Sequence, residues 1–239
     1  MIEKPNSPAA DNSRRDFLKK SSALVAGSSF LISGTKASGN ILGANDRVRI
    51  GVAGLNGRGG AHIGGWKGQA NVEIAALIDP DKNVLAKRLK SVDGAKGFSD
   101  VRKALEDKSL DALSIAAPNH WHSLMTIWAA QAGKHVYVEK PMSHDVQEGR
   151  IAVEAQKKYG IVVQHGTQRR SNAGIAGLHE ALADGSLPKL KIAYGYCCKP
   201  RGGIGMEKPQ APPANLDWDL WKGPAVIDQY HANYVHYDW

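Results

Sequence analysis

Three groups of residues in this 239-residue chain have types and spacings that suit chemistry. The first is Gly54-Leu55-Asn56-Gly57-Arg58-Gly59, directly after the apolar run 48–53. Glycines let a backbone turn tightly and approach a pyrophosphate, whose charge suits the N–H groups of a helix start. Asp79 closes the next apolar run, 25 positions after Gly54. A carboxylate at that strand tip can accept hydrogen bonds from both hydroxyls of a ribose. Strand, glycine turn, helix start and acidic strand end together describe a dinucleotide-binding βαβ unit. Gly54, Asn56, Gly57, Arg58, Gly59 and Asp79 are its candidate cofactor contacts. Read as G-x-G-x-x-G, the turn carries Asn at 56. Asn tolerates left-handed backbone angles better than other side chains, so the turn is expected to survive. The Asn56 side chain would then crowd a phosphate or donate to it.

The other two groups follow later apolar runs, at the carboxyl ends of strands where open α/β sheets hold ligands. Ala117-Pro118-Asn119-His120-Trp121-His122 follows residues 110–116. Pro118 ends the strand, and Asn119 and His120 can present polar groups to a ribose and its ring. Pro118, Asn119, His120 and His122 join the candidate cofactor contacts. Glu139-Lys140-Pro141 follows residues 136–138. Lys140, fixed at a strand tip by the proline, can meet a substrate hydroxyl beside a nicotinamide, to orient it or relay its proton. Partial burial would assist that relay. Lys140 is the candidate catalytic residue, and Glu139 and Lys140 are further cofactor contacts. No metal-ligand spacing occurs.

Positioning these groups requires alternating strands and helices. Strands are expected at 48–53, 72–79, 110–116, 136–138 and 161–164. Helices are expected after the glycine turn, at 82–90, from a cap at Ser99 or Asp100 to about 108, from Leu124 to a stop at Gly133, and from Ser143 to Gly160. Strands separated by helices pair in parallel through crossovers. The fold class is therefore α/β, a Rossmann-type doubly wound parallel sheet over residues 45–165, followed by the start of a second α+β domain. That second region, 166–239, shows a helix at 173–184 and a strand at 190–198. A glycine- and proline-rich loop follows, then a crowd of aromatics. It reads as a partial substrate and oligomerisation domain, poorly protected, with Trp218, Trp221 and Trp239 exposed.

The amino terminus reads as a leader. Ser13-Arg14-Arg15-Asp16-Phe17-Leu18-Lys19-Lys20 precedes a weakly apolar stretch over 21–33. Paired arginines before such a stretch match a twin-arginine signal over residues 1–37, and so a periplasmic or extracellular location. The apolar stretch is too short and polar to span a bilayer. Of the net charge of +8, the leader's six basic and three acidic residues account for +3. The remaining +5 is spread without basic runs, which argues against nucleic acid as a partner. Cys197 and Cys198 are the only cysteines; adjacent in an expected strand, they point to opposite faces and read as packing residues.

The chain resembles the glucose–fructose oxidoreductase / inositol dehydrogenase / rhizopine-catabolism (Gfo/Idh/MocA) family. The resemblance rests on the 54–59 turn, Pro118-Asn119-His120-Trp121-His122 and Ala132-Gly133-Lys134-His135-Val136-Tyr137-Val138-Glu139-Lys140-Pro141. Gln164-His165-Gly166-Thr167-Gln168-Arg169-Arg170-Ser171 and Asp217-Trp218-Asp219-Leu220-Trp221-Lys222-Gly223-Pro224-Ala225 look like the secreted, twin-arginine branch. The resemblance implies hydride transfer between a nicotinamide cofactor and a sugar or polyol, with Lys140 at the nicotinamide and often a cis bond before Pro141. NAD is expected over NADP because Asp79 repels a 2′-phosphate, although Arg58 and Lys82 can soften that preference. The resemblance also implies an Asp and a His on a second-domain helix beyond Trp239, and homo-oligomers for the full-length form. Two rival readings stand: a glycosidase that retains NAD and acts by transient oxidation, and a nucleotide-binding protein without turnover.

Overall fold

The computed structural model describes residues 47–235, apart from 197, 199 and 201. The expected leader, Cys197 and Trp239 lie outside the described residues. Six strands form one parallel sheet in the order β3-β2-β1-β4-β5-β6. They are β1 (Val48–Ala53), β2 (Val72–Ile78), β3 (Lys96–Phe98), β4 (Ala112–Ile115), β5 (His135–Glu139) and β6 (Val163–Gly166). The order reverses between β1 and β4, which opens a crevice at the carboxyl ends of those strands. Burial deepens along β1, from an exposed Val48 to four buried residues at its carboxyl end, because neighbours flank it on both edges.

Helices α1 (Arg58–Lys67), α2 (Lys82–Leu89), α3 (Val101–Leu105), α4 (Asn119–Gln131) and α5 (Val146–Tyr159) link successive strands. Ile50, Val52, Ile74 and Leu77 pack one sheet face against Ile63 of α1 and against Val84, Leu85 and Leu89 of α2. Ala53, Ile78, Leu113, Ile115, Val136 and Val138 pack the other face against α3, α4 and α5. Ile50 pairs with Ile74 but Gly51 pairs with Ala76, so Ala75 is an extra residue in β2. This bulge breaks the alternation, and Ala75 and Ala76 enter the same core cluster.

Several boundaries differ from expectation. The three-residue strand β3 was not foreseen, since Lys96 and Gly97 carry no apolar signal. The helix capped by Asp100 stops at Leu105. Helix α4 begins at Asn119 rather than Leu124. Asp145, not Ser143, caps α5, accepting from Glu148 N, while Glu148 Oε2 accepts from His144 N at 3.0 Å. Strand β6 runs to Gly166.

After β6 come a 3₁₀ turn (Gln168–Ser171), α6 (Ala173–Ala183) and α7 (Trp218–Lys222). The strand expected at 190–198 is absent among its described residues. Leu190, Ile192, Tyr194 and Tyr196 alternate as in a strand but are all exposed. Alternation sets which face a side chain takes, whereas a strand also requires a partner for its backbone. Cys198 is exposed, so its reading as a packing residue fails. Trp221 is buried rather than exposed, and Trp218 is partly buried, stacked on it at 5.2 Å beside Tyr230. Among the described residues, no helix is long and apolar enough to cross a membrane.

Candidate active site

The glycine turn is fastened to the tip of β2. Gly54 N donates to Ile78 O at 2.9 Å, and Leu55 N donates to Asp79 Oδ2 at 2.8 Å. The other oxygen, Asp79 Oδ1, accepts from Asp81 N at 2.9 Å. Burial raises the Asp79 proton affinity, and the two backbone N–H bonds oppose that rise. A Cβ at Gly59 would lie 1.8 Å from Gly54 O, and one at Gly54 would lie 2.5 Å from Ala117 N. Both positions therefore exclude any side chain. The left-handed angles fall on Gly54 (φ 80) and Gly57 (φ 46). Asn56 has no positive φ, so Asn is tolerated there for a simpler reason than the one expected: the backbone does not need glycine.

Helix α1 starts without a side-chain cap and has no acidic residue in its first turn. Gly59 N and Gly60 N donate to Asn56 O and Gly57 O, so it is the helix dipole and the N–H groups before them that are arranged for an anion. A cradle that excludes Cβ atoms, an uncapped helix start and a carboxylate at the β2 tip fit a dinucleotide.

At the tip of β4, Pro118 precedes α4, and Asn119, the first helical residue, is exposed. His120 and His122 are buried in the first turn. His120 Nε2 faces Trp221 O at 3.2 Å, and burial lowers the proton affinity of its ring. His122 sits between two carbonyls, with Nδ1 at 2.5 Å from Pro141 O and Nε2 at 2.8 Å from Ala117 O. Ser123 Oγ donates to Met142 O at 3.1 Å. These contacts tie the loop after β4 to the loop after β5. Of the four candidates in this loop, Asn119 is the one whose side chain is exposed.

Strand β5 ends at Glu139, which is 5% exposed yet bonded to three side chains, two from α1 and one from the 3₁₀ turn after β6. Its Oε1 accepts from Arg58 Nε (2.6 Å), His62 Nε2 (3.0 Å) and Gln168 Nε2 (2.7 Å). Its Oε2 faces Lys140 N at 3.2 Å. Burial alone would raise the Glu139 proton affinity; the bonds from His62, Arg58 and Gln168 outweigh it and hold the pKa to about 2. Burial lowers that of His62. The Lys140–Pro141 bond is cis. Lys140 itself is exposed, so the partial burial expected for it is not present.

A directed chain of hydrogen bonds leads to Glu139. Trp66 Nε1 can only donate, and it donates to Ser114 Oγ at 2.9 Å. At the other end, the ionised Glu139 carboxylate can only accept, so His62 Nε2–H donates to it and Nδ1, at 2.9 Å, accepts from Ser114 Oγ–H. Tyr137 packs edge-on against both His62 and Trp66. Sequence reading missed His62, Trp66, Ser114, Tyr137 and Gln168. A signal did exist: Arg58, His62 and Trp66 recur every four residues, which places them on one face of α1.

A later segment closes over the rim. Lys82 N donates to Asn215 O at 2.9 Å, and Asp217 N to Pro80 O at 3.1 Å. Trp121 Nε1 donates to Trp221 O at 2.9 Å. Gly223 (φ 51) abuts the Trp121 ring, where a Cβ would lie 2.2 Å from Cζ2.

The chain belongs to the Gfo/Idh/MocA oxidoreductase family, described by its NAD-binding Rossmann fold, whose pattern matches residues 48–167. It is 29% identical over 145 residues to a myo-inositol 2-dehydrogenase of Thermotoga maritima, covering 61% of this chain and 43% of that protein. It is 32% identical over 150 residues to a glycosyl hydrolase family 109 protein of Solibacter usitatus, covering 57% and 34%. Among solved structures, it resembles the WlbA dehydrogenase of Bordetella pertussis in complex with NADH and UDP-GlcNAcA. That likeness has a TM-score of 0.55 and 30% identity, and it covers 58% of this chain and 42% of that one. The match to the inositol dehydrogenases thus spans less than half of their length.

Proposed function

We propose that this protein transfers a hydride between NAD and a hydroxyl carbon of a sugar or polyol. One observation carries the proposal: Arg58, which opens the helix facing the nucleotide phosphates, reaches Glu139 at the strand tip bearing Lys140. The cofactor cradle and the candidate catalytic lysine are thereby held in one frame. A bound nicotinamide supplies the hydride carrier. Gly54, Gly57 and Gly59 admit the pyrophosphate, and the start of α1 faces its charge. Asp79 meets the ribose and disfavours a 2′-phosphate, with Arg58 and Lys82 as moderating cations. Pro118, Asn119, His120 and His122 shape the wall beside the ring, Asn119 with an exposed side chain and the two histidines by fixing the loops. Lys140 orients the substrate hydroxyl or takes its proton. Titrating the protein with NAD and NADP, then screening polyols for absorbance change at ~340 nm, tests the reading. Tighter NADP binding would remove Asp79 from its role, and absence of binding to either would end the proposal.

A second reading is supported by the relative from glycosyl hydrolase family 109: a glycosidase that retains NAD and oxidises its substrate transiently. Release of free sugar without net change in the cofactor distinguishes it. Export by the twin-arginine route rests on the sequence of residues 13–20, with residues 1–37 as the leader; Arg14→Lys with Arg15→Lys should then hold the protein in the cytoplasm. Residues 166–239 are proposed as part of a substrate and oligomerisation region of a homo-oligomer, on family resemblance.

A further inference from the structure

We propose that Gln168 and His62 are positioning residues: they lock Glu139 so that Lys140 is presented correctly to the bound nucleotide. The inference rests on the functional reading above, in which Lys140 lies at the nicotinamide.

Three donors from three places in the chain converge on one buried oxygen of Glu139. Arg58 comes from the first turn of α1, His62 from the second, and Gln168 from the 3₁₀ turn after β6. The other oxygen faces the Lys140 backbone N–H, so the carboxylate's orientation sets the direction in which the chain leaves β5. His62 donates in one fixed sense, because the ionised Glu139 carboxylate can only accept and therefore takes the Nε2–H, leaving Nδ1 to accept from Ser114.

Gln168 adds an independent observation. It is the one non-glycine residue with positive φ (30°) among the described residues. Such a backbone is costly and persists where its surroundings over-determine it. Here the surroundings are visible: Gln168 Nε2 donates to Gly166 O as well as Glu139, both at 2.7 Å. Gly166 in turn has no room for a side chain, since a Cβ would lie 2.7 Å from Tyr137 Oη. The strained turn therefore holds an amide donor against Glu139. Neither Gln168 nor His62 is asked to touch substrate.

Ser114, His62 and Glu139 also stand in the order of a hydrolytic triad. Ser114 is 1% exposed and its oxygen is plugged by Trp66, so it cannot act as a nucleophile. Positioning is the role that remains for the chain of bonds.

The test measures acylation of Lys140 by a water-soluble amine reagent, read peptide by peptide in the full chain with and without saturating NADH. Bound NADH should slow Lys140 acylation by about tenfold in the wild type, because the lysine lies against the nicotinamide. In Gln168→Ala and His62→Ala that protection should fall below about threefold, since displacement of a group by about 1 Å is enough to undo a productive contact. His62→Gln, which can place an amide N–H near the Nε2 position, should restore it. NADH affinity should change by no more than about fivefold, because the glycine cradle is untouched. Wild-type protection in both alanine variants would overturn the inference. If His62→Ala fails to fold, Gln168→Ala and Gln168→Glu decide alone; the latter sets a second carboxylate against Glu139 and should also lose protection, whereas full protection in both would overturn the inference. NADH binding to the wild type without protecting Lys140 would refute the placement of Lys140 and the inference with it, a pattern distinct from loss in the variants alone.

Discussion

Replacing Glu139 with Gln isolates the charge at the centre of the site. Glutamine has the shape of the protonated acid, so the variant resembles a wild type whose carboxyl has been neutralised. Held at about 2 against an ordinary 4.5, Glu139 favours its charged form in the folded chain. At about 1.4 kcal/mol per tenfold change in proton affinity, this is on the order of 3 kcal/mol. The Arg58 side chain is 47% exposed, and solvent screens its share, so about 2 kcal/mol is the expected loss of stability at neutral pH. The sign with pH follows from the depressed value. The contribution is complete above the ordinary carboxyl range and is lost as pH falls through that range toward 2. At pH 3 roughly two-fifths should remain. Urea unfolding of both proteins at pH 7 and pH 3 measures this, with the difference expected to shrink on acidification. A difference independent of pH, or one below about 0.5 kcal/mol at pH 7, would refute the charge-based account of Glu139.

Gly59→Ala should abolish NADH binding, measured by fluorescence, and destabilise the chain by at least about 2 kcal/mol, because its Cβ meets the backbone oxygen of Gly54 rather than a movable side chain. Lys140→Met should leave NADH affinity within about fivefold while removing hydride transfer, checked by titration and by absorbance; normal turnover would make Lys140 structural. In hydrogen exchange, the amides of Lys82 and Asp217 should be protected and those of residues 190–196 fast, and Trp121→Phe should accelerate Asp217 by removing the shorter of the two bonds that Trp121 and His120 make to the Trp221 carbonyl.

The sheet was legible because each of its long strands is an apolar run bounded by a turn residue or a cap. Val48–Ala53 before Gly54, and Val72–Ile78 before Asp79, carry that signal in full. Lys96–Phe98 does not, since two of its three residues are polar or glycine and only Phe98 packs inward. Residues 190–196 show the opposite error. They have the period of a strand, but pairing is a property of two segments, and one segment's pattern cannot supply the other. Caps were readable to within two residues, because Ser143 and Asp145 satisfy the same local rule and only the geometry of Glu148 chooses between them.

The residues that bind Glu139 escaped sequence reading for a different reason. Arg58 stood out through the glycine turn and Glu139 through its neighbours Lys140 and Pro141, yet nothing local joins positions 81 residues apart. The join is made by the order of strands. With β4 and β5 adjacent, Ser114 and Tyr137 stand side by side on one face, and α1 lays His62 and Trp66 across them. A helix-face count along α1 would have paired Arg58 with His62 and Trp66, but the carboxylate they serve is identified only once β5 is placed next to β4. The polarity of that shared face follows from its position. α4 and α5 cover the opposite face with tryptophan, methionine and alanine contacts. A buried glutamate can therefore be kept charged on the α1 side, where a tryptophan, a serine and a histidine end in a donor aimed at it, without opening the core that holds the sheet together.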